Sequence, residues 1–158
     1  MRDPQIEAVL VALRRVMRAT DLHSRELARS TGLTAPQLLL LQTIQQQGKV
    51  GVGELAQEMS LSQATVTSIL DRLEDRGYVA REKGDADKRK VFTSLTAKGS
   101  EAIKDSPVPL QQRFVERFGK LASWEQHQLI ASLQRIATMM DAQDIDASPV
   151  LDTGLLDR

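Results

Sequence analysis

"GELAQEMSLSQATVTSILDRLEDRGYVAREKGDADKRKVFTSLT", residues 53–96, holds four units in a fixed order. Residues 53–59 read as a short helix, and "SLS", 60–62, as a three-residue turn. Residues 63–77 read as a longer helix, with Ser62 as its N-cap and Gly77 as its stop. Two β-prone runs, 78–82 and 90–95, then flank a polar loop containing Gly84, which is the pattern of a β-hairpin. Helix, three-residue turn, helix and hairpin, in that order, make a winged helix-turn-helix.

On a wheel of 100° per residue, Val66, Ile69, Leu70 and Leu73 share one face of the 63–77 helix and point to a core. The opposite face shows Ala64, Ser68, Asp71 and Asp75, flanked by Thr67 and Arg72. At the N-terminal end Ser62, Gln63, Ala64, Thr65 and Thr67 are small or hydrogen-bonding. Such a helix end can enter a major groove, because small side chains admit the backbone and Gln, Ser and Thr can bond bases or phosphates. The positive end of the helix dipole adds attraction for phosphate. A small-polar first turn also fits any capped surface helix, and a charge run alone fits a solvated loop. Here Lys83, Lys88, Arg89 and Lys90 stand on the hairpin that follows, and together the two features point to duplex DNA. A winged helix used for protein assembly, its basic wing docked on an acidic partner, is the alternative.

The rest of the chain supplies a scaffold. Asp3 can cap a first helix with Pro4 at its first position. Its apolar stripe is Ile6, Val9, Leu10, Leu13, Val16 and Met17, and the pattern runs through Leu27 to Gly32. A helix near 28 residues is too long for so small a domain to cover, so part of the stripe is expected to meet another chain. Thr34-Ala35-Pro36-Gln37 is a capping box that opens a helix with four consecutive leucines, Leu38 to Leu41, and Gly48 ends it. "KVGV", 49–52, reads as an extended link. Thr96 caps a helix that Pro107 and Pro109 break, "LQQRFVERFGKL" resumes it, and Ser123-Trp124-Glu125-Gln126 reads as the capping box of the last helix.

Composition narrows the function classes. The 158 residues include no cysteine, so disulfides, thiolate metal sites and thiol redox sensing fall away. This fits a cytosolic protein. The N-terminal stretch lacks the pattern of a signal peptide, and no apolar run approaches the roughly 20 residues of a membrane span. Formal net charge is zero but uneven: residues 81–98 carry a net of +3 and residues 141–158 a net of −4. A local basic excess suits a local anionic partner.

The stretch "VGELAQEMSLSQATVTSILDRLEDRGYVAREKGDADKRKVFTSLTAKG", 52–99, resembles the MarR family of bacterial transcriptional regulators. "TVTSILDRLEDRGYV" and "DKRKVFTSLTAKG" are similar to that family's recognition helix and wing-to-helix signature. The flanking helices share its layout. The resemblance implies a homodimer, with the N-terminal helix and the C-terminal helices intertwined. It implies that residues 63–72 lie in the major groove of an operator. It implies that Arg89, held by Asp87, enters the minor groove, and that the two lobes read an inverted repeat with half-sites ~10 bp apart. Cysteine-based peroxide sensing is excluded. The tail and residues 13–44 are similar to the sub-group that represses ectoine and other compatible-solute genes.

The expected chain is therefore mainly α with a small β-wing, an α+β fold. Residues 34–96 form a winged helix-turn-helix DNA-binding domain, with recognition helix 62–77 and wing tip 84–90. Residues 1–33 and 97–141 form a helical dimerisation region, and 142–158 a tail packing on it. The partners are a double-stranded DNA operator, a second copy of the chain and an unidentified small-molecule or ionic effector. His23, on the first helix near Asp21 and Arg25, is a candidate for that effector. Trp124 reads as a packing anchor. No catalytic group, metal set or cofactor motif is expected.

Overall fold

A computed structural model describes residues 3–84, 90–145 and Val150. These fall into two compact units, residues 3–107 with Val150, and residues 108–145.

In the first unit the caps fix the helices. Helix α1, Pro4–Thr31, starts where the Asp3 carboxylate accepts the Gln5 N–H at 2.8 Å. It stops at Gly32, whose φ of 68° is left-handed and favours glycine. Leu27 is its one buried residue, while Ile6, Val9, Leu10, Val16, Met17 and Leu22 are exposed. Helix α2, Ala35–Gln47, opens on the expected box: Thr34 Oγ1 accepts the Gln37 N–H and Gln37 Oε1 accepts the Thr34 N–H. Its leucine run is inside, with Leu38, Leu40 and Leu41 fully buried.

The link after Gly48 is more than a link. Val50–Gly51 forms strand β1, paired antiparallel with β3, Val91–Leu95, which also pairs with β2, Val79–Lys83. The sheet order is β1-β3-β2, so the hairpin rests on a third strand rather than standing alone. Helix α3, Val52–Met59, follows at once; the N–H of its cap residue, Gly51, donates to the Glu54 carboxylate at 3.0 Å.

Helix α4, Gln63–Asp75, packs on the core through Val66, Ile69, Leu70 and Leu73, as its wheel requires. Helix α5, Ala97–Lys104, is capped by Thr96 Oγ1, which accepts the Gly99 N–H at 3.1 Å. A Cβ at Gly99 would lie 2.1 Å from the Tyr78 carbonyl oxygen, so only glycine lets α5 pass the backbone before β2 so closely. Val150 is buried in this unit's core.

The second unit holds α6, Leu110–Phe118, and α7, Ser123–Met139. Neither helix buries a residue. Phe114 and Phe118 stack with centroids 5.5 Å apart, yet Phe114 and Val115 remain exposed, as do Leu129, Ile130 and Leu133 on α7. Two sequence expectations shift here. The cap of α7 is Ala122, not Ser123: Ala122 has the extended backbone, and Glu125 accepts its N–H at 2.9 Å. Ser123 is already helical, and its carbonyl oxygen lies 2.6 Å from His127 Nδ1. Trp124 is 68% exposed, so among the described residues it is not packed as an anchor.

Candidate nucleic-acid interface

The turn between α3 and α4 is set by the backbone. Ser60 takes a left-handed conformation, φ 53°, and the Leu61 N–H returns to the Ala56 carbonyl at 2.9 Å. This turn fixes where α4 begins. Ser62 Oγ accepts the Thr65 N–H at 3.1 Å and meets Thr65 Oγ1 at 2.8 Å. Thr67 Oγ1 donates back to the Gln63 carbonyl at 2.8 Å. The hydroxyls of Ser62, Thr65 and Thr67 therefore shape the first turn. Ser62, Gln63, Ala64 and Ser68 are exposed, and Thr65, Thr67 and Arg72 are half-buried. Six of them lie on α4 and Ser62 caps it; the apolar face of the helix is locked in the core and its N-terminal end is outward.

The hairpin beside it closes where the Gly84 N–H donates to the Lys90 carbonyl at 2.8 Å. Lys83 and Lys90, which flank this closure, are exposed. Asp87, Lys88 and Arg89 lie outside the described residues. Lys90 also lines a cleft of about 430 Å³ with Gly51, Gly53 and Phe92, between the start of α3 and the returning strand.

Not all of the basic excess faces outward. Arg81 on β2 forms ion pairs with Asp71 at 2.5 Å and Glu74 at 3.5 Å, both on α4. Its side chain is 21% exposed, so its charge serves the junction of helix and wing. The pairing also neutralises an acid on the outward face of α4, where a phosphate chain would be repelled. Lys98 is exposed but already engaged: its Nζ donates to the Arg76 carbonyl at 2.6 Å and sits 4.7 Å from the Tyr78 ring centroid. In the sequence, Arg81 and Lys98 count toward the net +3 of residues 81–98. The only available signal was that a strand following α4 must run back along it.

Across the sheet, Lys49 Nζ meets the Glu82 carboxylate at 2.5 Å, and that hydrogen bond, with the lysine charge, holds the Glu82 carboxyl below its ordinary value. His23 is half-buried on α1, beside the Arg25–Asp21 pair at 3.0 Å. Among the described residues no group of three or more His, Cys, Asp or Glu could hold a metal, and no helix is long and apolar enough to cross a membrane.

A winged helix-turn-helix with a small-polar helix end beside basic strand ends is the architecture of a DNA-binding regulator. Comparison with known proteins gives the family. The MarR family profile matches residues 33–91. The transcriptional regulator HosA of Escherichia coli O111:H- is 34% identical over 110 residues, 70% of this chain and 79% of HosA. The HTH-type transcriptional regulator YcgE of Bacillus subtilis (strain 168) is 29% identical over 140 residues, 88% of this chain and 91% of YcgE. A mutant MarR from E. coli complexed with operator DNA superimposes with a TM-score of 0.56 at 25% identity, covering 85% of this chain and 99% of that one. The chain belongs to the MarR family of DNA-binding transcriptional regulators.

Proposed function

We propose that the protein is a homodimeric repressor that binds an inverted-repeat operator. Recognition helix 62–77 enters the major groove, with Ser62, Gln63, Ala64, Thr65, Thr67, Ser68 and Arg72 toward bases and phosphates. The wing tip, 84–90, reaches the minor groove, where Arg89 inserts and Asp87 orients it. Lys83, Lys88 and Lys90 neutralise phosphates. The observation that carries this reading is the mounting of α4: four apolar residues are locked in the core while the small-polar N-terminal turn stays exposed.

Dimerisation rests on uncovered apolar surface. Val16 and Met17 are each 66% exposed on α1, and α6 and α7 bury nothing. Apolar surface of that extent favours burial against a second copy. Residues 1–33 and 97–141 make that layer, and the tail, 142–158, packs on it. The burial of Val150 supports a packed tail rather than a solvated one. A small molecule or ion, with His23 among its contacts, releases the operator by shifting the equilibrium between two lobe spacings. The protein acts in the cytoplasm.

Footprinting on the protein's own promoter and adjacent genes tests this reading. A protected inverted repeat is expected, with protection weakened in Arg89→Ala. Failure to retain duplex DNA at low salt would overturn it.

A further inference from the structure

The long helix α1 is held to the winged-helix lobe at one end. Leu27, in its last turn, is its only buried residue. Just beyond, Arg76 Nη1 donates to the Gly32 carbonyl at 2.8 Å, and Nη2 to the Tyr78 hydroxyl at 3.3 Å. The same guanidinium lies 5.0 Å from the Tyr78 ring centroid, with Lys98 also 4.7 Å from it. Arg76 is the residue that ends α4. Gly32 admits it twice over: its left-handed φ favours glycine, and a Cβ there would stand 3.1 Å from Arg76 Nη2. The end of the recognition helix is thus clasped to the end of α1 by one planar, multiply bonded side chain.

We infer that Arg76 is a positioning residue that fixes the angle between α1 and α4, and so sets the half-site spacing the protein accepts. The inference rests on the homodimer–operator reading above. If α1 lies in the dimer layer, the clasp is where that layer grips the recognition helix. The DNA-facing end of α4 is far from it, since the helix rises ~18 Å between Gln63 and Asp75. Arg76 therefore acts through α4 and touches no base. The lever is long: a rotation of ~10° at the clasp moves the far end by ~3 Å, about the rise of one base pair.

The test measures affinity of the full-length protein for four duplexes: the footprinted repeat at natural spacing, the same repeat lengthened by one and by two base pairs, and an isolated half-site. Wild type is expected to lose about tenfold in affinity for the repeat lengthened by two base pairs. Arg76→Ala is expected to bring that ratio to within about threefold while half-site affinity stays within about twofold. If Arg76→Ala shows no cooperative melting, Arg76→Lys and Tyr78→Phe, which each loosen part of the clasp, are expected to lower the ratio in the same direction. Folded variants that keep the wild-type ratio would overturn the inference. So would a parallel fall in half-site and full-site affinity, which would mean lost stability or direct DNA contact. A wild type that binds the repeat but ignores spacing would overturn the clasp's role alone. A wild type that retains no duplex would overturn the operator reading and the inference with it.

Discussion

Gly99 and Thr93 show how single positions are constrained in opposite senses. At Gly99 the Tyr78 carbonyl oxygen occupies the space of a side chain, 2.1 Å from where a Cβ would stand. Gly99→Ala is expected to destabilise the lobe by about 1–3 kcal/mol, read by urea unfolding, because the obstacle is backbone and cannot swing aside. Thr93 is fully buried on the central strand, and its hydroxyl has no hydrogen-bond partner among the described residues. Thr93→Val keeps the shape and removes the unpaired group, so stability is expected to hold or rise by up to about 1 kcal/mol. A loss above that range would show that the hydroxyl is bonded. At this scale the sequence was informative where a side chain has one job. Ser62, Thr34 and Thr96 are caps as their positions imply, and Val66, Ile69, Leu70 and Leu73 are core. It was silent on Arg81, Lys98 and Arg76, because a charged side chain whose partner lies on another element carries no mark of where it will turn.

Among the elements, periodic and capped segments were legible and the short ones were not. Seven helices could be read from stripes, prolines and glycines. Strand β1 has two residues, too few for any alternation, and exists because β3 offers it an edge. The cap of α7 moved by one because backbone conformation and the Glu125 carboxylate, not a hydroxyl, define that start. The wing base gives a prediction at this scale. Lys49, beside β1, reaches over the sheet to Glu82 on β2 and depresses its carboxyl pKa. A depressed acid stabilises the fold above its unfolded pKa, and that contribution is lost as pH falls through the folded value. Lys49→Met is therefore expected to lose stability at neutral pH and to converge with wild type in acid. Urea melts at both pH values check this; a gap that persists below the depressed pKa would contradict it.

For the whole molecule, the fold class was legible because the order helix, turn, helix, hairpin admits few topologies. The proposed assembly rests on surplus alone: a 28-residue helix with more stripe than one lobe can cover. The extent of that surplus on α6 and α7 emerged only with the structure, since their apolar residues read equally well as core. Val16→Glu, a charge placed in the exposed α1 stripe, is expected to yield a monomer by light scattering, with the lobe's melting little changed. A dimer of unchanged stability would show that the stripe is not the seam.

Binding of the protein to a promoter fragment carrying its inverted repeat, followed across a salt series in excess competitor DNA, tests the central claim most directly. Specific retention is expected, with logarithmic affinity falling linearly with the logarithm of salt. In Arg89→Ala the slope should be shallower by about 2, from one phosphate-region charge lost per chain of a dimer. No retention at low salt, or a slope that Arg89→Ala leaves unchanged, would contradict it.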